Sequence, residues 1–287
     1  MSLRQRQEIQ EMLRQRRLSV LSDLPLSRRL ERAEGAANAR FVEARGRLVP
    51  DSGAQWIEVA GAYAMYDGAG SPCTQTFGLG LFQLPSGADL DRIETFFTSR
   101  GAPVFHEVSP LADKALLELL NQRGYQPVEF TSVMFLPLAE WAREEVPNER
   151  LTVRVVETEE RDLWAQTAAE GWSEFMEIPA LTEMMKISAS KEDAPCFLAE
   201  LDGQPIAAAA LAIHDGVVLL AGASTKPEWR RRGAQRALFE SRLEYAARAG
   251  CDLAMICAEP GGTSQRNAER QGFRIAYTRV KWRLKPV

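Results

Sequence analysis

The stretch GASTKPEWRRRGAQRALFESRLEYAARAG, Gly222 to Gly250, decides the fold. It joins an apolar run (Val217–Ala223) to a helical pattern through a loop holding Arg230, Arg231, Arg232 and Gly233. In the helix, Ala234, Ala237, Leu238, Tyr245 and Ala249 are expected on one buried face at the 3.6-residue period. A glycine at such a turn lets the backbone approach a ligand, and the first N–H groups of a helix have no partner inside it. Those groups attract phosphate, and arginines add charge and forked donors. Strand, basic glycine loop and helix together read as a pyrophosphate cradle.

Working outward, TVRVVE (152–157) reads as a strand and ERDLWAQTAAEGW (160–172) as a helix. CFLAELDGQPIAAAALAIHDGVVLLAGAS (196–224) reads as three strands joined by the hairpin turns Asp202-Gly203 and Asp215-Gly216. Downstream of the cradle come a strand, DLAMICA, a short helix, and a last strand, FRIAYTRVKWRL.

These residues resemble the acetyl-CoA-binding motif of the GNAT superfamily of N-acetyltransferases, whose loop reads Arg/Gln-x-x-Gly-x-Gly/Ala. Arg230 and Gly233 match its first and fourth positions, and Gln235 stands where a small residue is usual. Pro227 precedes the loop at the family's distance, and SQRNAERQGFRIAYTRVKWRL (264–284) resembles its closing helix-Gly-Phe-strand. The match runs from about Leu151 to Leu284.

The first half carries a weaker copy. NQRGYQPVEFTSVMFLPL (121–138) parallels ERQGFRIAYTRVKWRLKP (269–286), and LDRIETFFTSRGAPVFHEV (90–108) parallels the helix and strand around RAGCDLAMI. Where the second half has KPEWRRRGAQ, the first has QLPSGADLD, with Asp89 and Asp91 in place of arginines. A carboxylate there caps the helix and would repel a pyrophosphate. The expected organisation is a helical segment plus a degenerate GNAT-like domain over 1–138, a linker over 139–150, and an N-acetyltransferase domain over 151–287. The fold class is α/β, two GNAT-like domains, each a mixed, mainly antiparallel sheet flanked by helices. SPCTQTFGLGLF (71–82) reads as a strand and turn of no assigned role. The helical pattern before Gly46 is expected to pack on the first domain with a solvated face.

Composition excludes several classes. At 287 residues, two domains are the first expectation. The longest apolar runs are too short to cross a bilayer, and the N-terminus lacks the apolar core of a signal peptide, so a cytoplasmic protein is expected. The four cysteines have no CxxC spacing and the two histidines, His106 and His214, stand far apart, so no metal site or disulfide framework is expected. A formal charge of −4 argues against nucleic acid as a partner. A second copy of the chain is left open.

The resemblance implies acetyl transfer from acetyl-CoA, as cosubstrate, to a small-molecule or peptide amine, by direct attack in a ternary complex. It assigns cofactor contacts to Ala223, Ser224 and Thr225 through their backbone, to Arg230, Arg231, Arg232, Gly233, Ala234 and Gln235 in the loop, and to Ser264 and Asn267 on the closing helix. Thr263 or Ser264 as a simple helix cap is an equal reading. The acceptor would meet the segment 172–196, with Glu174 and Glu177 for a cation and Trp172, Phe175 and Met176 as an apolar wall.

Catalytic groups are less defined. Many members carry a tyrosine four residues before the closing Gly-Phe, which protonates the leaving thiolate; this chain has Ala268 there. The central strand also lacks the carboxylate that often relays the amine proton. Glu259 and Tyr277 are the remaining candidates, with water the preferred acid. The alternative function is a non-catalytic acyl-CoA sensor or partner-binding protein.

Overall fold

The computed structural model describes residues 22–142, 150–174, 176–192 and 194–285. Seven helices are used below: α1 Leu24–Leu48, α2 Gly87–Thr98, α3 Lys114–Gln122, α4 Arg161–Gly171, α5 Ile178–Ala189, α6 Ala234–Arg248 and α7 Thr263–Arg270. The strands are β1 Gln55–Val59, β2 Ala62–Tyr66, β3 Gln75–Phe77, β4 Phe105–Val108, β5 Tyr125–Pro137, β6 Leu151–Val155, β7 Cys196–Leu201, β8 Gln204–His214, β9 Val217–Thr225, β10 Leu253–Ala258 and β11 Arg274–Leu284.

The strands form one sheet in the order β1-β2-β3-β4-β11-β5-β10-β9-β8-β7-β6. Pairing is antiparallel except at β3–β4 and β9–β10, each bridged by a helix (α2 and α6). The order repeats about the centre of the sheet. In each half a meander leads to a parallel pair, a helix and a closing strand. The closing strands are exchanged: β11 lies between β4 and β5, and β5 lies between β11 and β10. The expected likeness of the halves is therefore present, joined into a continuous sheet.

Local chemistry explains the connections. Asp202 and Gly203 (φ 51° and 79°), like Asp215 and Gly216 (45° and 73°), take the left-handed conformation at both turn positions that a two-residue hairpin requires. Asp23 caps α1 by accepting from Leu26 N at 2.9 Å, with a proline in the first turn.

Alternation along the strands divides the core between two faces of the sheet. Val218, Leu220 and Ala254 pack against Leu238 and Leu243 of α6, with Ala268 of α7 in the same cluster. Val217, Leu219, Leu253 and Met255 pack on the opposite face against Leu26, Leu30, Ala33 and Ala37 of α1. The expected placement of that helix needs correction. It crosses both halves, touching β1–β3 as well as β8, β9 and α5, and Leu30, Val42 and Ala44 are fully buried. The buried face of α6 also differs: it runs through Ala234, Ala237, Leu238, Arg242, Leu243 and Ala246, leaving Tyr245 and Ala249 exposed. Most of the expected linker, 143–149, lies outside the described residues.

Candidate active site

The site follows from a mismatch in strand length. The parallel pairing of β9 with β10 ends at Leu219↔Met255, yet β9 continues to Thr225. On its other side β9 keeps β8 as partner, with a bulge that sets Gly222 and Ala223 against a single residue between Ala208 and Ala210. Gly222 supplies the positive φ (61°) of that bulge. The two strands part beyond Leu219, and a cleft of about 750 Å³ fills the wedge. Strand termini at such a parting have backbone groups free for a ligand.

The cradle lies on the α6 side. Gly233 is the N-cap residue at φ 89°, and no side chain caps the helix. Arg231 also takes a positive φ (63°). Arg230, Arg231, Gly233, Ala234 and Gln235 line the cleft; Arg232 does not, its guanidinium stacking 4.6 Å from the Trp229 ring centre. Gln235 folds back to donate to Thr225 Oγ1 at 3.2 Å. Ser224 lines the cleft while its hydroxyl donates to Ala168 O at 2.9 Å, and a side chain at Gly171 would meet it at 2.4–2.5 Å. Ser224 therefore fastens β9 to α4 and offers a ligand only its backbone. Ser264 and Asn267 line the far wall on α7, together with Thr263 and Arg270. Neither Ser264 nor Thr263 caps that helix, whose N-cap is Gly262.

Of the expected acceptor residues, only Trp172 lines the cleft. Glu174 is at its rim, paired at 2.7 Å with Arg230, whose guanidinium lowers the carboxyl pKa. Glu177 is exposed at the start of α5 and Phe175 lies outside the described residues. Glu259 is exposed and away from the lining, its carbonyl closing the turn to Gly262. Tyr277 is buried on the α1 face, and its hydroxyl donates to Glu31 Oε1 at 3.0 Å. Burial, then the Glu31 charge, push its pKa well above the ordinary value. As a thiolate acid it is misplaced.

Arg242, Glu34 and Asn38 are among the lining residues that escaped sequence reasoning. Arg242 is fully buried on α6; its Nη1 donates to Ala210 O (3.0 Å) and Ala221 O (3.3 Å), the carbonyls beside the bulge. Desolvation lowers its pKa to about 9. A charged residue on an apolar helix face was the available signal. Glu34 and Asn38, from α1, line the cleft from the opposite side of the sheet, beside Cys257 of β10. Cys257 Sγ donates to Glu34 Oε2 at 3.2 Å and Arg279 Nη2 donates to Glu34 Oε1 at 2.9 Å. Burial alone would raise the Glu34 carboxyl, but the Arg279 charge and the hydrogen bonds from Arg279 and Cys257 together outweigh it and hold the pKa low. Behind it Glu31 is pushed up to about 7 by burial. Nothing in the local sequence brings α1 to this cleft.

In the first half the corresponding place is filled. β3 stops at Phe77, where β9 goes on; Gly78 and Gly80 (φ 77° and 71°) then turn the chain and bury Leu79 and Leu81. The stretch 71–82 thus holds β3 and the turn after it, whose Leu79 packs with Leu90, Val108 and Leu116 where β9 would have continued. At the matching helix, Ser86 Oγ accepts from Asp89 N (3.2 Å) and Asp89 Oδ2 accepts from Ser86 N (2.9 Å), a closed capping box. Asp91 pairs with Arg123 at 2.6 Å.

Residues 153–273 match the family model described as Acetyltransferase (GNAT) family. The second half is a GNAT-family domain. Over most of the chain the fold is shared with a GCN5-related N-acetyltransferase from Kribbella flavida (TM-score 0.61, 21% identity, 87% of this chain and 96% of that one). It is shared too with one from Sphaerobacter thermophilus (0.55, 17%, 89% and 92%). A tandem GNAT protein from the clavulanic acid biosynthesis pathway aligns over 79% of this chain and 83% of its own, with TM-score 0.54 and 13% identity. A search of the curated proteins returned no match. Among the described residues no group of His, Cys, Asp or Glu could hold a metal, and no helix is long and apolar enough to cross a membrane.

Proposed function

We propose that the protein is an N-acetyltransferase that uses acetyl-CoA in the GNAT-domain cleft and acts on an amine in a ternary complex. One observation carries the reading: the uncapped start of α6, with Gly233 and Arg231 in the left-handed conformation, opens on the wedge where β9 leaves β10. The free N–H groups of that turn, with Arg230 and Arg231, fit a pyrophosphate. The cleft continues past the β9 backbone to α7, a path along a strand edge that suits an extended pantetheine. The thioester supplies the acyl group. The chain's part is to aim β9 backbone N–H groups at the carbonyl oxygen, where charge develops. Arg242 keeps the bulge that presents them in shape. With Ala268 fully buried and Tyr277 outside the cleft, water protonates the leaving thiolate. A thiol pKa near 8.5 makes that departure feasible.

The first half is the degenerate copy in this reading, divided from the GNAT domain within 139–150 and holding no cosubstrate. The exchanged strands mean that the halves must be tested together. Thiol release from acetyl-CoA against a panel of amines, with calorimetric titration of CoA into the full chain, tests both points. One CoA per chain and amine-dependent thiol release are expected. Binding without release from any amine would leave an acyl-CoA sensor, the reading that Ala268 favours.

A further inference from the structure

The wedge passes through the sheet. Ile256, which packs with the α6-side core, and Cys257, which packs with the α1-side core, both line it. The cleft therefore has a cosubstrate end on one face, among Arg230, Arg231 and the α6 N-terminus. Its other end, on the opposite face, is closed by α1. We propose, building on the acyl-transfer reading, that α1 supplies the acceptor pole and that Glu34 and Asn38 there select a cationic primary amine.

Charge supports the sign of that pole. Glu34, Glu107 and the exposed Glu129 share two cations on the α1 face, Arg279 and Lys281, and Glu31, pushed up to about 7 by burial, adds part of a further negative charge. Arg279 approaches Glu34 together with Glu31 and Glu107, so its charge is divided among three acids. A buried site with excess negative charge favours an ammonium that brings its own donors. The basic residues at the other end are partly offset by Glu174 and point toward the cosubstrate. Asn38 is half-buried and lines the same end; its amide oxygen accepts from Cys73 Sγ at 3.9 Å and keeps a second lone pair for the guest. Trp172 and Leu219, also in the lining, suit the methylene stem of an alkylamine. A neutral aromatic amine brings no charge to offset the surplus of carboxylates at this end.

The test is a charge series at Asn38 in the full chain, since Glu34→Gln breaks a buried ion pair and costs folding stability. Probes are 1,4-diaminobutane and lysine amide, cationic at neutral pH, against aniline, which is not. The readouts are KM and kcat from thiol release and calorimetric titration of CoA. Asn38→Lys is expected to raise KM for the two cations by about tenfold or more, the scale of one charged hydrogen bond. Asn38→Asp lowers it, and CoA affinity stays within about twofold, as expected where no contact changes. Unchanged KM across the series, or aniline preferred by the parent protein, overturns the pole while leaving the transferase reading intact. Should no amine release thiol, 1,4-diaminobutane is titrated into the CoA-loaded protein. Binding that Asn38→Lys abolishes supports the pole without catalysis, and no binding to the parent overturns it.

Discussion

The two halves run the same succession of elements and differ most at two helix starts. At α6 the turn is glycine and arginine, the first N–H groups are uncapped, and the strands beside them part into a cleft. At α2 a serine and an aspartate close the same groups on themselves, and in the neighbouring wedge Leu79 packs with Leu90, Val108 and Leu116. Every helix start must satisfy its orphan donors somehow. A side-chain cap stabilises the fold and removes a binding site. A bare start is less stable and keeps one. Under the proposed function, the first half has taken the former course and the second the latter.

His106 offers the sharpest way to break this contrast. It sits on β4 where that strand pairs with β3, fully buried, with Nε2 2.9 Å from the Tyr125 hydroxyl. Burial pushes its pKa down to about 3. The unfolded chain takes up a proton near pH 6.5 and the folded chain does not, so stability is whole above pH 6.5 and is lost as pH falls toward 3. The full loss is on the order of 5 kcal/mol. Imidazole resonances followed by NMR should show His106 neutral down to the acid transition. Titration near 6.5 would mean that the first wedge is open, and the contrast would fail.

Next in size is Gly233→Asp. The new carboxylate faces the pyrophosphate position from an N-cap whose φ of 89° costs a non-glycine residue about 1 kcal/mol. CoA affinity should fall by about a hundredfold or more, equivalent to about 3 kcal/mol. Circular dichroism should show the fold retained. Parent affinity in this variant would remove the cradle from the α6 turn.

Ser86→Ala is the mirror experiment. It removes one arm of the capping box and should lower stability by about 1 kcal/mol. CoA stoichiometry and affinity should not move, because Asp89 and Asp91 still guard that turn. A second CoA bound after uncapping would show that the first half is blocked rather than lost.

The origins of these features show why some were legible. The arginine-glycine loop, the Asp-Gly hairpins and the Ser86–Asp89 cap are local: each needs only neighbouring residues to dictate backbone geometry. The exchange of β5 and β11 is not. Pairing Val280 with Phe130 rests on contacts across 150 residues, and neither strand's alternation names its partner. A still longer separation, 223 residues between Glu34 and Cys257, hid Glu34 and with it Asn38. Their spacing reads as an ordinary helix, and only the crossing of α1 over both halves brings them to the cleft. Arg242 was hidden differently, because a buried arginine satisfied by carbonyls leaves no carboxylate partner to look for.

The smallest expected effect concerns the leaving group. A GNAT-type thiolate acid would come from the α7 position held here by Ala268, which is fully buried and offers no proton. Tyr277 is nearest in sequence, but strand alternation turns it to the α1 face, where it donates to Glu31 and shares a cluster with Leu30 and Val133. A phenol engaged in that bond, with its pKa raised by burial, is a poor proton source for a cleft it does not line. Tyr277→Phe keeps the ring packing and removes only the hydroxyl. Turnover should stay within about threefold of the parent, well short of the 10²–10⁴-fold typical of a lost general acid. The hydroxyl's loss should instead appear in stability, because Glu31 loses a donor in a buried site. A hundredfold fall in kcat with CoA affinity and melting temperature unchanged would reverse the assignment. The proton would then reach the thiolate through the sheet, from the α1 face.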